Sequence, residues 1–126
     1  MLKLTNKEIV NSIEALKNLS TKELNVKTSF KIAKNIKTID EISNIFIEEK
    51  RKLVSKYGTK DDKGNLKLDD NGVAEIAKEN LSEWNRSYAE LLEIENNIEI
   101  EKIKLSDLDV RVSAQELLVI EYMLEE

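Results

Sequence analysis

Apolar and polar residues alternate along this chain in different rhythms, and each rhythm predicts an element. Leu2-Lys3-Leu4 has the period of two of a short strand. Thr5 and Glu8 follow at the spacing of a capping box, in which hydroxyl and carboxylate each satisfy an orphan amide. Ile9, Ile13, Leu16 and Leu19, with Val10 beside them, then recur at helical intervals, which predicts a helix over about 6–19.

A longer helical run extends from Val26 to Tyr57, where Phe30, Ala33, Ile36, Ile39, Ile42, Phe46, Leu53 and Tyr57 form a drifting apolar stripe. Ser20-x-x-Glu23 is a second capping-box pattern ahead of it, and Thr38-x-x-Glu41 a third inside it. No Gly or Pro forces a break, so one long helix is expected, with residue 38 the place for a kink. Gly58 fits the residue just past the helix end. In the stretch 59–72, Lys63-Gly64 and Asn71-Gly72 are turn signals, and the alternation of Leu66 and Leu68 fits a small hairpin or flap.

A third helix is predicted from near Val73, because Ala77, Leu81, Trp84, Tyr88 and Leu91 make a heptad-type seam. The intervening loop lets 26–57 and 73–95 lie antiparallel, bringing Lys50, Arg51, Lys52 and Lys56 towards Glu79, Glu83, Glu90 and Glu93. Such exposed pairs give only about 0–1 kcal/mol each, which leaves the seam as the main source of stability. Asn96-Asn97 ends that helix, and Ile98-Glu99-Ile100-Glu101 alternates as a strand. Ile103 and Leu105 fall on the opposite parity, which requires a bulge or bend at Glu101-Lys102. A strand over 98–105 would pair with Leu2-Leu4. Val110-Arg111-Val112 alternates only briefly. Ser113-x-x-Glu116 opens a last helix carrying Leu117, Leu118, Val119, Ile120, Tyr122, Met123 and Leu124, apolar on nearly every side. Such a helix is either core or leaves a face for a partner, which makes Leu117, Leu118, Tyr122 and Met123 candidate partner-binding residues.

Together these elements predict an α+β, mostly helical fold in one domain over 1–126: a long antiparallel helical hairpin, a small β-sheet and a C-terminal apolar helix. The longest apolar runs are four residues or shorter, against about 20 for a membrane span. The polar N-terminal segment offers no signal-peptide core, so a cytosolic location is expected.

Composition narrows the chemistry. Of 126 residues, 20 are Lys or Arg and 25 Asp or Glu, and there is no His, Cys or Pro. This excludes thiolate and imidazole metal sites, cysteine nucleophiles and every histidine-based triad. The three glycines are too dispersed for a phosphate-cradling loop. The acidic loop with Asp61, Asp62, Asp69 and Asp70 fails the calcium-loop pattern, since counting from Asp61 puts Leu66 at the glycine position and Gly72 at the final ligand. No pair of acids stands out for acid–base work. No enzyme, cofactor or metal is expected.

Charge is unevenly distributed: residues 1–60 carry 13 basic and 7 acidic side chains, residues 61–126 carry 7 basic and 18 acidic. Either the two stretches pack with complementary fields, or an acidic surface meets a basic partner. Lys27, Lys31 and Lys34 lie on one helix face, with Lys22 and Lys37 nearby. The acidic overall balance disfavours nucleic acid as a partner.

The chain also resembles a family of small uncharacterised proteins of bacteriophages and prophages of low-GC Gram-positive bacteria. The resemblance covers nearly its whole length. It rests on Leu-Lys-Leu-Thr-Asn-Lys-Glu-Ile (2–9), Lys-Ile-Ala-Lys-Asn-Ile (31–36), Glu-Lys-Arg-Lys-Leu-Val-Ser-Lys-Tyr-Gly (49–58), the Asp/Gly flap, Ile-Glu-Ile-Glu-Lys-Ile-Lys-Leu-Ser-Asp-Leu (98–108) and the Leu-rich C-terminal segment. It carries no catalytic motif and transfers no site residues. It implies a phage viral protein in the cytoplasm of an infected host or in the virion. Two functions follow as expectations. One is a non-enzymatic accessory protein of virion structure or assembly, which binds a phage or host protein or a second copy of itself through the C-terminal helix. The other is an inhibitor of a host defence or nucleic-acid enzyme, which presents an acidic helix face of Glu75, Glu79, Glu83, Glu90 and Glu93.

Overall fold

Thr5 caps the first helix as its spacing predicts: its hydroxyl accepts from the Glu8 amide at 3.2 Å, and the Glu8 carboxylate accepts from the Thr5 amide at 3.1 Å. In the computed structural model, which describes residues 2–126, β1 (Leu2–Thr5) runs directly into α1 (Asn6–Ser20) at this cap. The second capping-box pattern is not used, because the Ser20 hydroxyl donates back to the Lys17 carbonyl at 2.6 Å inside α1. Asn25 instead opens α2 (Val26–Tyr57), its side-chain oxygen accepting from the Thr28 amide at 2.9 Å. α2 is one unbroken helix, and Thr38 in its middle donates to the Lys34 carbonyl one turn back. After it come α3 (Leu81–Glu93), β2 (Glu95–Ile98), β3 (Ile103–Lys104), α4 (Ala114–Val119) and β4 (Leu124–Glu125). The fold is α+β and mostly helical.

The backbone divides into two compact units. Unit 1 comprises residues up to Ser43 and from Glu95 onward; unit 2 comprises Asn44–Ile94.

In unit 1, β1 pairs antiparallel with β2, Leu2 opposite Ile98 and Thr5 opposite Glu95, and β3 pairs parallel with β4. Leu4, Ile9, Leu16, Leu19, Ile32, Ile39, Ile98, Ile103, Ile120 and Met123 form one buried aliphatic core. The seam that α2 gives to this core is Thr28, Ile32, Asn35 and Ile39, while Phe30 and Ala33 of the expected stripe are exposed. Asn35 explains the rotation. Its amide nitrogen donates to the Glu101 carbonyl at 2.9 Å and its oxygen accepts from the Glu101 amide at 2.8 Å. This side chain acts as a short piece of partner strand where the expected strand 98–105 changes parity. The strand is therefore divided into β2 and β3 rather than continuous, and Asn96-Asn97 belongs to β2 rather than to a helix end.

In unit 2 the helical pairing is antiparallel, with α3 packed on the second half of α2. Tyr88 lies 6.3 Å from the Phe46 ring and under the Lys50 ammonium, while Tyr57, further along α2, reaches Glu83 at 3.4 Å. α3 begins at Leu81, not near Val73, so Ala77 precedes it and Leu81 is largely exposed; Trp84, Tyr88 and Leu91 carry the seam. The expected charge pairing between the helices does not form among the described residues. Arg51 pairs with Glu48 and Lys52 with Glu49, each at 3.0 Å along α2 itself.

The flap is a small structure with its own order. Lys60 bridges Leu66, Leu68 bridges Ala74 and Ile76 bridges Gly58, all antiparallel. The Lys67 amide donates to the Thr59 carbonyl at 2.8 Å, the Glu75 amide to Lys67 at 3.0 Å and the Thr59 amide to Glu75 at 2.8 Å. Three segments eight residues apart thus close a ring of backbone hydrogen bonds. Asp61-Asp62-Lys63-Gly64 and Asp69-Asp70-Asn71-Gly72 turn two corners, with Gly64 and Gly72 at φ near +80°. Gly58 serves differently from the left-handed role expected of it. Its φ is not positive, and a Cβ there would lie 2.6 Å from both the Val54 carbonyl oxygen and Leu66, so close approach is what requires glycine.

Candidate functional site

The C-terminal segment holds the candidate site, and its backbone reverses early. Ser113 caps α4 by accepting from the Glu116 amide at 3.1 Å. α4 ends at Val119, a 3₁₀ turn covers Glu121–Met123, and β4 follows. The apolar helix expected to carry residues as far as Leu124 is therefore six residues with an abrupt turn. Burial of Ile120 and Met123, both fully inaccessible, imposes that turn, because the chain must reverse to drive both side chains into the unit 1 core.

This sorts the four predicted partner-binding residues. Met123 is core, with its sulfur 3.5 Å from the Asn35 amide, and is not available to a partner. Tyr122 is half-buried and its hydroxyl lies 2.8 Å from Ser12 Oγ. Ser12 Oγ also lies 2.8 Å from the Ile9 carbonyl, and either hydroxyl can be the donor in the bond that Ser12 and Tyr122 share. Burial pushes the Tyr122 pKa up to about 12, with the Glu8 carboxylate adding to the rise and the Ser12 bond opposing it. Leu117 is half-buried, and Leu118 is 66% exposed.

Leu117 and Leu118 line an open groove of about 500 Å³ together with Ala114, Leu105 and Leu124. Leu105 is itself 44% exposed. The rim is acidic: Glu121, Glu125 and Glu126 border the groove, and none is in an ion pair among the described residues. Leu105 and the two terminal glutamates were not foreseen as site residues. Their signal was present in the opposite parity of 103–105, but its meaning depends on the β3–β4 pairing that brings residue 105 beside α4.

The second candidate surface is less regular than expected. Glu75, Glu79, Glu83, Glu90 and Glu93 are all exposed, but Glu75 lies in the flap ring and Glu79 in a 3₁₀ turn, so they do not form one helix face. On α3, Glu83 and Glu90 stand seven apart and Glu90 and Glu93 three apart, so these three share one side of the helix, and Glu83 accepts from Tyr57.

The acidic loop engages its carboxylates internally. Asp61 accepts from the amides of Lys63 and Asn65, and Asp69 from those of Asn71 and Val73, at 2.8–3.0 Å. Among the described residues no group of three or more acidic side chains could hold a metal ion, and no helix is long and apolar enough to cross a membrane.

Of the basic residues on α2, Lys34 pairs with Glu101 at 3.2 Å and Lys31 donates to the Lys102 carbonyl at 3.1 Å. With Lys3–Glu95 at 3.6 Å, the Lys34–Glu101 pair joins the basic and acidic stretches of the chain inside unit 1. Compared with protein-family models, curated proteins and solved structures, the chain matches none.

Proposed function

We propose that this chain is a non-enzymatic accessory protein that works by binding another protein through the C-terminal groove. The observation that carries this reading is the coincidence of exposed Leu118 and Leu105 with a rim of glutamates that form no ion pair among the described residues. A surface of this kind suits a partner segment that inserts an apolar side chain between lysines or arginines. Burying one leucine completely stabilises a complex by about 1.5–3 kcal/mol, and the rim then selects the partner by charge. The phage resemblance supplies the setting: virion structure or assembly, in the infected cell or in the particle.

The test is capture from phage-infected cells with the wild-type chain and the Leu118→Asp variant as parallel baits. A phage structural protein retained by the wild type at high salt and missing from the variant is the expected result. Identical captured sets would remove the groove from the function. The acidic-surface inhibitor is the alternative, supported by the exposure of all five glutamates. It requires that the captured protein be a nucleic-acid enzyme, released by salt and by Glu83→Lys with Glu90→Lys.

A further inference from the structure

Unit 1 carries, besides the acidic groove, a surface with the opposite character. Val26 and Phe30 stand one turn apart on α2 and are 85% and 64% exposed. Both are large apolar side chains on the outside of the helix, since the core seam runs through Thr28 and Ile32. Their surroundings are basic. Val26 borders a recess of about 670 Å³ whose walls include Lys27, Lys31 and Lys104, with Asp107 as its one acid. The Lys34 ammonium lies 5.5 Å from the centroid of the Phe30 ring. Between residues 22 and 37 the chain holds five lysines and a single acid, Glu23.

We propose that the occupant of the C-terminal groove is the Val26–Phe30 face of a second copy of this chain. This rests on the groove being a docking site and names its partner. The two surfaces are complementary in both respects that decide a contact. Apolar projections on one side meet an apolar groove on the other, and a lysine border meets a glutamate border. Two different patches of one molecule that fit each other make a heterologous contact, which repeats head to tail and closes into a ring or extends as a filament. That is the association mode a self-assembling structural protein uses. The Glu125 and Glu126 carboxylates of one copy would face the lysine-lined recess of the next, so association weakens as salt rises but keeps an apolar remainder.

Sedimentation of the full chain, from micromolar to near-millimolar concentration and at low and high salt, tests the proposal with two variants. Phe30→Glu spoils the projecting face and Leu118→Asp spoils the groove. Both positions are largely exposed, and circular dichroism should show both variants folded. The wild type should associate beyond a dimer, and each variant alone should lose at least about tenfold in apparent self-affinity. The mixture is decisive, because each variant retains one good surface: together they should form a one-to-one dimer that grows no further. A wild type that stays monomeric throughout, or variants that do not rescue each other, overturns the second-copy assignment. A fluorescent peptide with one leucine flanked by lysines then examines the groove separately. Binding to wild type and not to Leu118→Asp would leave the groove a docking site for a foreign basic segment. No binding to either would remove the groove itself.

Discussion

The two units reach stability by different means. Unit 1 has a continuous aliphatic core fed by both strand pairs, by α1, by the first half of α2 and by the C-terminal turn. The buried apolar residues of unit 2 are Phe46, Tyr57 and Leu91. In place of a thick interior it has an aromatic seam, with Trp84 stacked on Tyr88 at 5.3 Å, and the closed ring of backbone bonds in the flap. Burial of apolar area is the dominant favourable term in folding, whereas an exposed hydrogen bond contributes about 0.5–1.5 kcal/mol net. Unit 2 should therefore be the part that opens first under denaturant, and unit 1 the part that holds global stability. The comparison also explains where the candidate site lies, since only a firmly packed unit can hold two leucines outward in a fixed groove.

The largest expected effect is in the unit 1 core. Ile120→Ala leaves a cavity where the chain reverses and should cost about 3–4 kcal/mol in urea unfolding, with the groove lost as the turn relaxes. A cost below about 1 kcal/mol would show that the core tolerates repacking and would blur the contrast between the units. Next is Asn35→Leu, which keeps the branched outline of the side chain but removes both bonds to Glu101. It leaves the half-buried Glu101 amide and carbonyl without these partners and should cost about 2–3 kcal/mol, with loss of amide-exchange protection at residue 101.

Gly58→Ala tests unit 2. Its Cβ meets the Val54 carbonyl, so the flap ring must shift, and a loss of about 2 kcal/mol is expected. Because Trp84 is the single tryptophan and lies in unit 2, its fluorescence should change at lower denaturant than helical circular dichroism does. Coincident transitions in the variant would mean that the two units unfold as one.

The smallest effect is on the alkaline side. The Tyr122 pKa is higher folded, at about 12, than unfolded, at about 10, so the native state holds this proton more tightly. Its contribution is complete below pH 10 and is lost as pH rises towards 12, by at most about 2.7 kcal/mol and by less for a ring that is only half-buried. Tyr122→Phe should lower stability at neutral pH through loss of the Ser12 bond, yet flatten the decline above pH 10 relative to wild type. An equally steep decline in both proteins would assign the alkaline loss to other groups.

Much of the local structure was legible in the residues. The capping box at Thr5 and Glu8, the continuity of α2 and the turns at Gly64 and Gly72 depend only on neighbours a few positions apart. The pairing of Leu2–Thr5 was legible in part: Ile98 is a partner as predicted, but the strand extends back to Glu95 rather than on to 105. The candidate site was half legible. Leu117 and Leu118 line the groove, whereas Met123 is core and Leu105 comes from a segment read as strand.

By itself the sequence determined the mostly helical α+β class, the starts of α1 and α4 set by hydroxyl and carboxylate spacing, and a chemistry without thiol or imidazole. Those properties follow from composition and from interactions that close within one or two turns. Only the tertiary structure decided which face of α2 is inside, where the third and last helices stop, and which C-terminal residues remain outside. The physical reason is the same in each case. Asn35 faces inward because Glu101, 66 positions away, needs its two hydrogen bonds, and the last helix stops because Ile120 and Met123 are worth more in the core than in another turn of helix.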